Sequence, residues 1–472
     1  MTREGIAVEE VGIPSVTLVT TALSSLGYQV IIGAGMPEYP LVVVQHPVAG
    51  LVEKVVRTRI TPDIMDKIVA GLTKQPKKPA AAVAKKKVET KVYKGTDQLE
   101  AMRAMNDDFL GADWSDGLPL VPPTPKKVKA MLAGTKRSPG DVIGQVGPRR
   151  GIATVENIAI NAVMAGCKPE YMPVLIAMVE AATKPEFDLY RQCVTTQPVA
   201  PMAIVTGPIT DVSQLNINSG VGVYGPGWQA NATIGRTLRL LMLNTGGAVP
   251  GEVNKSTLGQ FARYTAAWGV NRAENPFPSL QEQIYTNERR NRQVTKWYEL
   301  EKLPPPAFEP IGKDENAVIM FALGDRNNMN DNNSKTGEGV LNSVATAMLT
   351  DEIPRPDSSH DTISGSVLVA FGPQHAKILA NEGWTIERMR KFLYEKARYP
   401  LERWSPAHSD TVESVAQDRK NRGAAEPFPK DGMVTMVEHP DNIYFTVAGG
   451  PGSHSAVFIG VYAPPVMQKI KQ

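Results

Sequence analysis

Two short apolar runs near the N-terminus constrain this chain most. Val16–Val19 and Leu41–Val44 are rich in β-branched residues, and each is bounded by Gly or Pro. Runs of this length without polar alternation predict strands buried on both faces of a parallel sheet. A short turn-rich spacer separates them, and a parallel strand of this kind normally follows a strand and a crossover helix. Only a short segment precedes the first run. The strand and helix that ordinarily come before such a strand are therefore expected from another chain.

The rest of the chain is far larger than this pair. At 472 residues, two or three domains are expected. A net charge of +3 gives no field for nucleic acid or a membrane surface, so neither is expected as a partner. No apolar run approaches the roughly 18 residues of a membrane span. Glu4, Glu9 and Glu10 occupy the place of a signal-peptide core. The cysteines, Cys167 and Cys193, make no disulfide framework, and a reducing, cytoplasmic location is expected.

Residues 74–95 form a Lys/Pro/Ala tract without apolar periodicity, which reads as a flexible linker. It separates a small domain, 1–73, from a large one, 96–472, with a possible sub-boundary near 300–315. Beyond the linker, Asp97–Leu110 reads as an amphipathic helix. Thr124 caps a helix that begins at Pro125 and runs to Leu132. Thr154–Met164 and Pro173–Ala182 read as two more helices. One device then recurs: an apolar strand ending in Gly-Pro, at Gly207-Pro208, Gly372-Pro373 and Gly449-Gly450-Pro451. Val318–Gly324 is a fourth strand without the Pro. Helices are expected after several of them, at Gln374–Asn381 and Thr385–Arg398. The fold class is α/β, a small incomplete parallel N-terminal domain plus a large multi-layer domain of strand–Gly-Pro–helix units around a mostly parallel sheet.

Gly12-Ile13-Pro14, Gly35-Met36-Pro37 and Pro40-Leu41-Val42-Val43-Val44-Gln45-His46-Pro47 also carry a resemblance. They resemble the C-terminal half of the UGSC-motif (seleno)protein family and, more distantly, the selenoprotein B component of glycine reductase. The region from about Asp116 to Pro464 resembles the large companion domain found with the UGSC family. In these families a Sec/Cys-Gly-Ser/Thr-Cys motif closes a strand just upstream of the Gly-Ile-Pro strand; this chain holds no such motif. The resemblance therefore implies a hetero-oligomer in which a Cys/Sec-Gly-Ser-Cys-bearing subunit supplies the nucleophile, with His46 at the partner site. The implied reaction is cleavage or exchange of a carbon–heteroatom bond on a small polar organic substrate. Two other readings stay open: a metal-dependent lyase or hydratase using His and carboxylates, and a non-catalytic scaffold.

Ligand chemistry in α/β sheets gathers at the carboxyl ends of strands. His375 and His454 lie at such ends and are candidate acid–base catalysts. His360, His408 and His439 sit in polar loops. Cys193 is a candidate thiol nucleophile. The loop Gly220–Gly227 contains a literal GxGxxG, but it follows a polar segment, so no nicotinamide or flavin site is read from it. Gly222 and Gly225, with Gly450, are instead candidates for close approach to substrate. Asn231 opens the helix that follows, which carries Arg236 and Arg239, and this start is a candidate anion holder. Asn157 and Asn161 are amides on an otherwise apolar helix and are candidate substrate contacts. No CxxC, HxxxH or HExxH occurs, so no structural zinc signature is present and the cofactor is left unknown. Asp325–Asn333 lacks the Gly and Glu of a calcium loop.

Overall fold

The computed structural model describes residues 2–34, 36–46, 48, 53–74, 90–211, 215–285, 310–349, 366–400, 431–437, 439–461 and 463–471. Most of the expected linker, 75–89, lies outside the described residues, as do His360 and His408.

The N-terminal part runs α1 (Thr2–Glu10), β1 (Thr17–Thr20), α2 (Ser24–Gly33), β2 (Leu41–Val44), α3 (Glu53–Arg59) and α4 (Pro62–Thr73). β1 and β2 pair in parallel, Thr17 opposite Leu41 through Thr20 opposite Val44. The β-branched runs make the strands and α2 is their crossover, as parallel pairing requires. Ile6, Ile31, Met36 and Tyr39 form a small core of their own. The Tyr39 hydroxyl is tied to Thr17 Oγ1 at 2.8 Å. Close approach of α4 to the residues just before β1 and β2 depends on Gly71: a Cβ there would fall 2.4 Å from Val16 Cγ2 and 2.8 Å from Pro40 Cβ.

The large part adds α5 (Gln98–Gly111), α6 (Pro125–Leu132), the hairpin β3 (Val142–Val146) and β4 (Gly151–Thr154), α7 (Val155–Ala165), α8 (Met172–Ala182) and α9 (Leu189–Val194). Then follow β5 (Ala200–Thr206), α10 (Gln229–Asn244), β6 (Ala267–Gly269), α11 (Leu280–Tyr285) and β7 (Ala317–Asn330). After β7 come a helix at Gly337–Met348, β8 (Ser366–Phe371) and two helices at Pro373–Asn381 and Ile386–Lys396. The chain ends with β9 (Arg398–Pro400), β10 (Met433–Thr435), β11 (Ile443–Val447), β12 (His454–Gly460) and β13 (Val466–Lys469). Asp97 and Thr124 cap α5 and α6 through their side chains, as their sequence positions predict. Tyr93, just past the linker, is fixed to α5 by a hydrogen bond to Asp108 and an edge contact with Phe109.

One seven-stranded sheet, in the order β11-β8-β12-β7-β5-β6 with β13 also on β7, organises this domain. The mostly parallel sheet expected from the sequence is a mixed one. β8–β11 and β5–β6 are parallel, whereas β7 and β12 run antiparallel to their neighbours. The reason is connection length. Only residues 448–453 join β11 to β12, too few for a crossover, so the chain must reverse. β7 pairs with β5 on one side and β12 on the other, so strands before and after 300–315 share one sheet.

One sheet face is covered by α7, α8 and α10 over β5 and β7, and by the helices 337–348, 373–381 and 386–396 over β8 and β11. The two coverings meet at a bulge in β7, where the pairing with β12 shifts between Ile459 and Gly460. The extra residue inverts the alternation. Val318, Met320 and Ala322 face α8 and α10, while beyond the bulge the odd-numbered Met329 turns to that same side. Trp268, Phe321 and Phe458 fill the opposite face. Among the described residues no helix is long and apolar enough to cross a membrane.

Candidate functional site

The two glycine-rich loops meet at one end of the sheet. Gly449 N donates to Ser219 O at 2.8 Å, and a Cβ on Gly450 would fall 2.2 Å from Val221 Cγ2. Gly225 sits at φ +96°, a conformation that favours glycine; Gly222 lies in the same loop. Asn231 holds the loop from α10. Its amide accepts from Asn218 N at 2.8 Å and donates to Asn218 O and Val223 O. Asn231, read from the sequence as an anion holder, thus spends these bonds on the loop itself.

His375 and His454 lie on opposite faces of β12: His375 contacts Ser455, on the side of Val457 and Ile459, whereas His454 alternates to the side of Ala456 and Phe458. His375 is 1% exposed. Its Nδ1 lies 2.8 Å from Ser455 Oγ and its Nε2 3.1 Å from the Asp331 carbonyl. A carbonyl only accepts, so Nε2 donates, and in the neutral ring Nδ1 then accepts the Ser455 hydroxyl. Both nitrogens serve internal bonds, and the ring fastens the helix 373–381 to β12. His454 is exposed, with Nδ1 3.3 Å from Asn328 Nδ2. His439 caps a turn by accepting from Asp441 N at 3.2 Å.

The polar residues singled out on helices have internal partners. Asn157 completes a capping box with Thr154. Asn161 donates to Asn157 O and accepts from Asn244 Nδ2 at 2.8 Å. Arg236 grips Asp116 through Nε and Nη2, each at 2.8 Å, and donates to the carbonyls of Leu118 and Pro119. It anchors the turn at Trp114–Pro119 to α10. The sequence-based reading of Cys193 as a nucleophile is corrected by its surroundings. Burial pushes its thiol up to about 12, although Arg239 and Arg263 pull the other way. At neutral pH it stays a protonated, enclosed thiol. Cys167 is likewise pushed up by burial, to about 11.

An open concave feature lies elsewhere. A shallow pocket open to solvent, with enclosed room of about 20 Å³, is lined by Arg239 and Met242 of α10, Val199 and Pro201 at the start of β5, and Asn254 and Arg263. Arg263 donates to Val199 O at 2.9 Å, Asn254 Oδ1 at 2.8 Å and Gln192 O at 3.4 Å. Arg239 makes one long contact, 3.4 Å to Ala248 O. Neither forms an ion pair among the described residues. Burial pushes both guanidiniums below their ordinary range, Arg263 to about 10, with the neighbouring Arg239 charge adding to its shift. The sequence pointed to Arg236 and Arg239 together, three residues apart on one helix. The structure separates them: Arg236 is neutralised by Asp116, and Arg239 enters the cleft. Arg263 was missed, because it closes a short 3-10 turn, Phe261–Arg263, that carries no motif.

The N-terminal part reaches the rim of this cleft. Lys255, next to Asn254, donates to Ser25 Oγ at 3.0 Å. Ser25 belongs to α2, which leaves from the carboxyl end of β1. At the same end His46 follows β2; its Nδ1 meets Thr20 Oγ1 at 3.0 Å and its amide donates to Thr21 Oγ1 at 3.2 Å. Among the described residues no partner engages His46 Nε2. No group of three or more His, Cys, Asp or Glu able to hold a metal is found among the described residues.

No curated protein matches this chain. Residues 1–74, the part that carries the parallel pair β1–β2 and His46, match the model of the UGSC family, and the N-terminal part of the chain is similar to that family.

Proposed function

We propose that this chain is the substrate-holding subunit of a heteromeric enzyme that cleaves or exchanges a carbon–heteroatom bond of a small polar organic molecule. The nucleophile is a Cys or Sec on a partner chain that docks against residues 2–74. One observation carries the reading: Ser25 meets Lys255, so the carboxyl ends of β1 and β2 lie beside the arginine cleft. Strand ends are where α/β sheets hold ligands. A thiolate or selenolate delivered there would stand next to a substrate held in the cleft.

In the displacement step, sulfur or selenium forms a bond to carbon as the carbon–heteroatom bond breaks. The electron pair leaves with the heteroatom, which takes a proton. His46 is the donor this chain offers, because Thr20 fixes its Nδ1 and leaves Nε2 for the substrate. Loss of such a donor slows turnover by about 10²–10⁴. A metal-dependent lyase gains no support from any ligand cluster among the described residues.

The test is reconstitution of the purified complex. Activity should require both chains, vanish when the partner's Cys or Sec is replaced by Ser, and fall about 10²-fold or more in His46→Gln. Full activity of this chain alone, or a complex indifferent to the partner's Cys or Sec, contradicts the proposal, and full activity of the partner alone makes this chain a scaffold.

A further inference from the structure

Arg239 is an expensive residue for the fold. It lies beside the apolar side chains of Leu238, Met242 and Val199, and burial depresses its pKa. A guanidinium carries five N–H donors, yet the contact to Ala248 O at 3.4 Å is the bond it makes among the described residues. Both arginines are half-buried, and charges drawn away from water are ordinarily paired. Arg236, one turn earlier on the same helix, shows that pairing was within reach, since it holds Asp116 through two bonds of 2.8 Å. Arg263 stands across the cleft, and the charge of Arg239 lowers its pKa further. Two cations facing one another without an anion repel, and the arrangement is relieved by an anion between them.

The walls say what kind of anion. Val199, Pro201, Leu238, Met242, Ala262 and Ala266 line the cleft with hydrocarbon. A bare inorganic anion would lose water against these walls and gain nothing from them, whereas a short aliphatic body would bury apolar surface there. The donors fit a planar group. Arg239 keeps its Nε–Nη2 edge free for two parallel bonds, the fork that matches a carboxylate. Arg263 has three of its donors engaged by Val199 O, Asn254 and Gln192 O, so it adds charge and few bonds. That supply suits two oxygens better than the three of a phosphate ester.

We infer that the Arg239–Arg263 cleft is a binding site for a short-chain organic carboxylate, held by its carboxylate on Arg239 with its hydrocarbon on Val199, Pro201, Leu238 and Met242. As the substrate site of the enzyme subunit, this rests on the function proposed above. The binding itself needs no partner chain, so its failure and the failure of the partner reading are separate results.

Isothermal titration of the full chain with butyrate, butanol and propyl phosphate tests it. Butyrate should bind saturably, and butanol should not. Arg239→Gln should weaken butyrate at least tenfold while keeping or raising the melting temperature, because it removes a desolvated charge with one long contact. Arg239→Lys should recover little, since a point charge lacks the fork. Ala262→Leu, which narrows the cleft and leaves both arginines intact, should weaken binding as well and serves if Arg239→Gln does not fold. Three results overturn the inference: no saturable butyrate binding, equal binding in Arg239→Gln and Ala262→Leu, or tighter arginine-dependent binding of propyl phosphate.

Discussion

The pair β1–β2 and the large sheet start from the same material, short β-branched runs between turn residues, and reach different ends. In the large sheet even the edge strand is covered on both faces: every residue of β11 and of its neighbour β8 is buried. In the N-terminal pair Leu18 is exposed, as are Tyr28 and Ile32 of α2 and Met65, Val69 and Leu72 of α4. A two-stranded sheet buries little and is marginal by itself. Scattered exposed apolar residues are ordinary, and their density on one small unit is what the proposed docking of a partner would cover. The difference lies in what covers each sheet, not in the strands.

The largest expected effect separates the two cores. Phe371 and Phe445 stack at 5.8 Å with their rings 2° from parallel, and both are fully buried. Phe445→Ala should cost the large domain about 3–5 kcal/mol. Ile31→Ala should lower a separate, earlier transition of residues 2–74 and leave the large domain's melting in place. One calorimetric transition moved by both substitutions would merge the two regions and break the comparison.

Ion pairs give the next contrast. The Asp116 side chain is 2% exposed, and Asp116→Ala strands Arg236, at a cost of about 3–5 kcal/mol. Lys67–Asp63 on α4 is a 2.7 Å pair with both side chains mostly in water. Lys67→Ala should cost less than about 1 kcal/mol. Denaturant titration of the two variants checks both, and equal losses would contradict the burial argument.

The smallest effect is one of pH. Desolvation pushes the Asp331 carboxyl up, but the hydroxyls of Ser343 and Ser334 and the amides of Ser334 and Asn333 outweigh it and hold the group at about 2. A folded pKa below the ordinary carboxylate value stabilises above that value and is lost as pH falls through the folded one. Large-domain stability should therefore decline from about pH 4 toward 2, and Asp331→Asn should flatten that decline. An unchanged acid limb in the variant would remove Asp331 from the account.

Much of this architecture was legible in the sequence because it rests on local chemistry. Leu41–Val44 is β2, Pro125–Leu132 is α6, and the caps at Asp97 and Thr124 act where they were read. β7 was read only to Gly324, because its second half, from Asp325 to Asn330, is polar and its strand character comes from pairing with β12. β12 was missed since its first residues look like the end of a glycine loop, and the antiparallel reversal is a property of connection length and not of the strands. The site was less legible still. His375 stands where a catalyst could stand, but two bonds set by distant residues enclose it. Arg239 and Arg263 meet only because α10 and the segment after Asn254 come together against the start of β5.

The central claim is that the N-terminal pair is a docking surface for a nucleophile-bearing chain. Hydrogen exchange on the full-length protein, with and without a copurifying Cys/Sec-Gly-Ser-Cys-bearing polypeptide, tests it most directly. The account predicts exchange slowed at least tenfold in 17–20 and 41–44 on complex formation, with the amides of β8 and β11 unchanged. Equal exchange of β1 and β2 in both states, or protection confined to the large sheet, would contradict it.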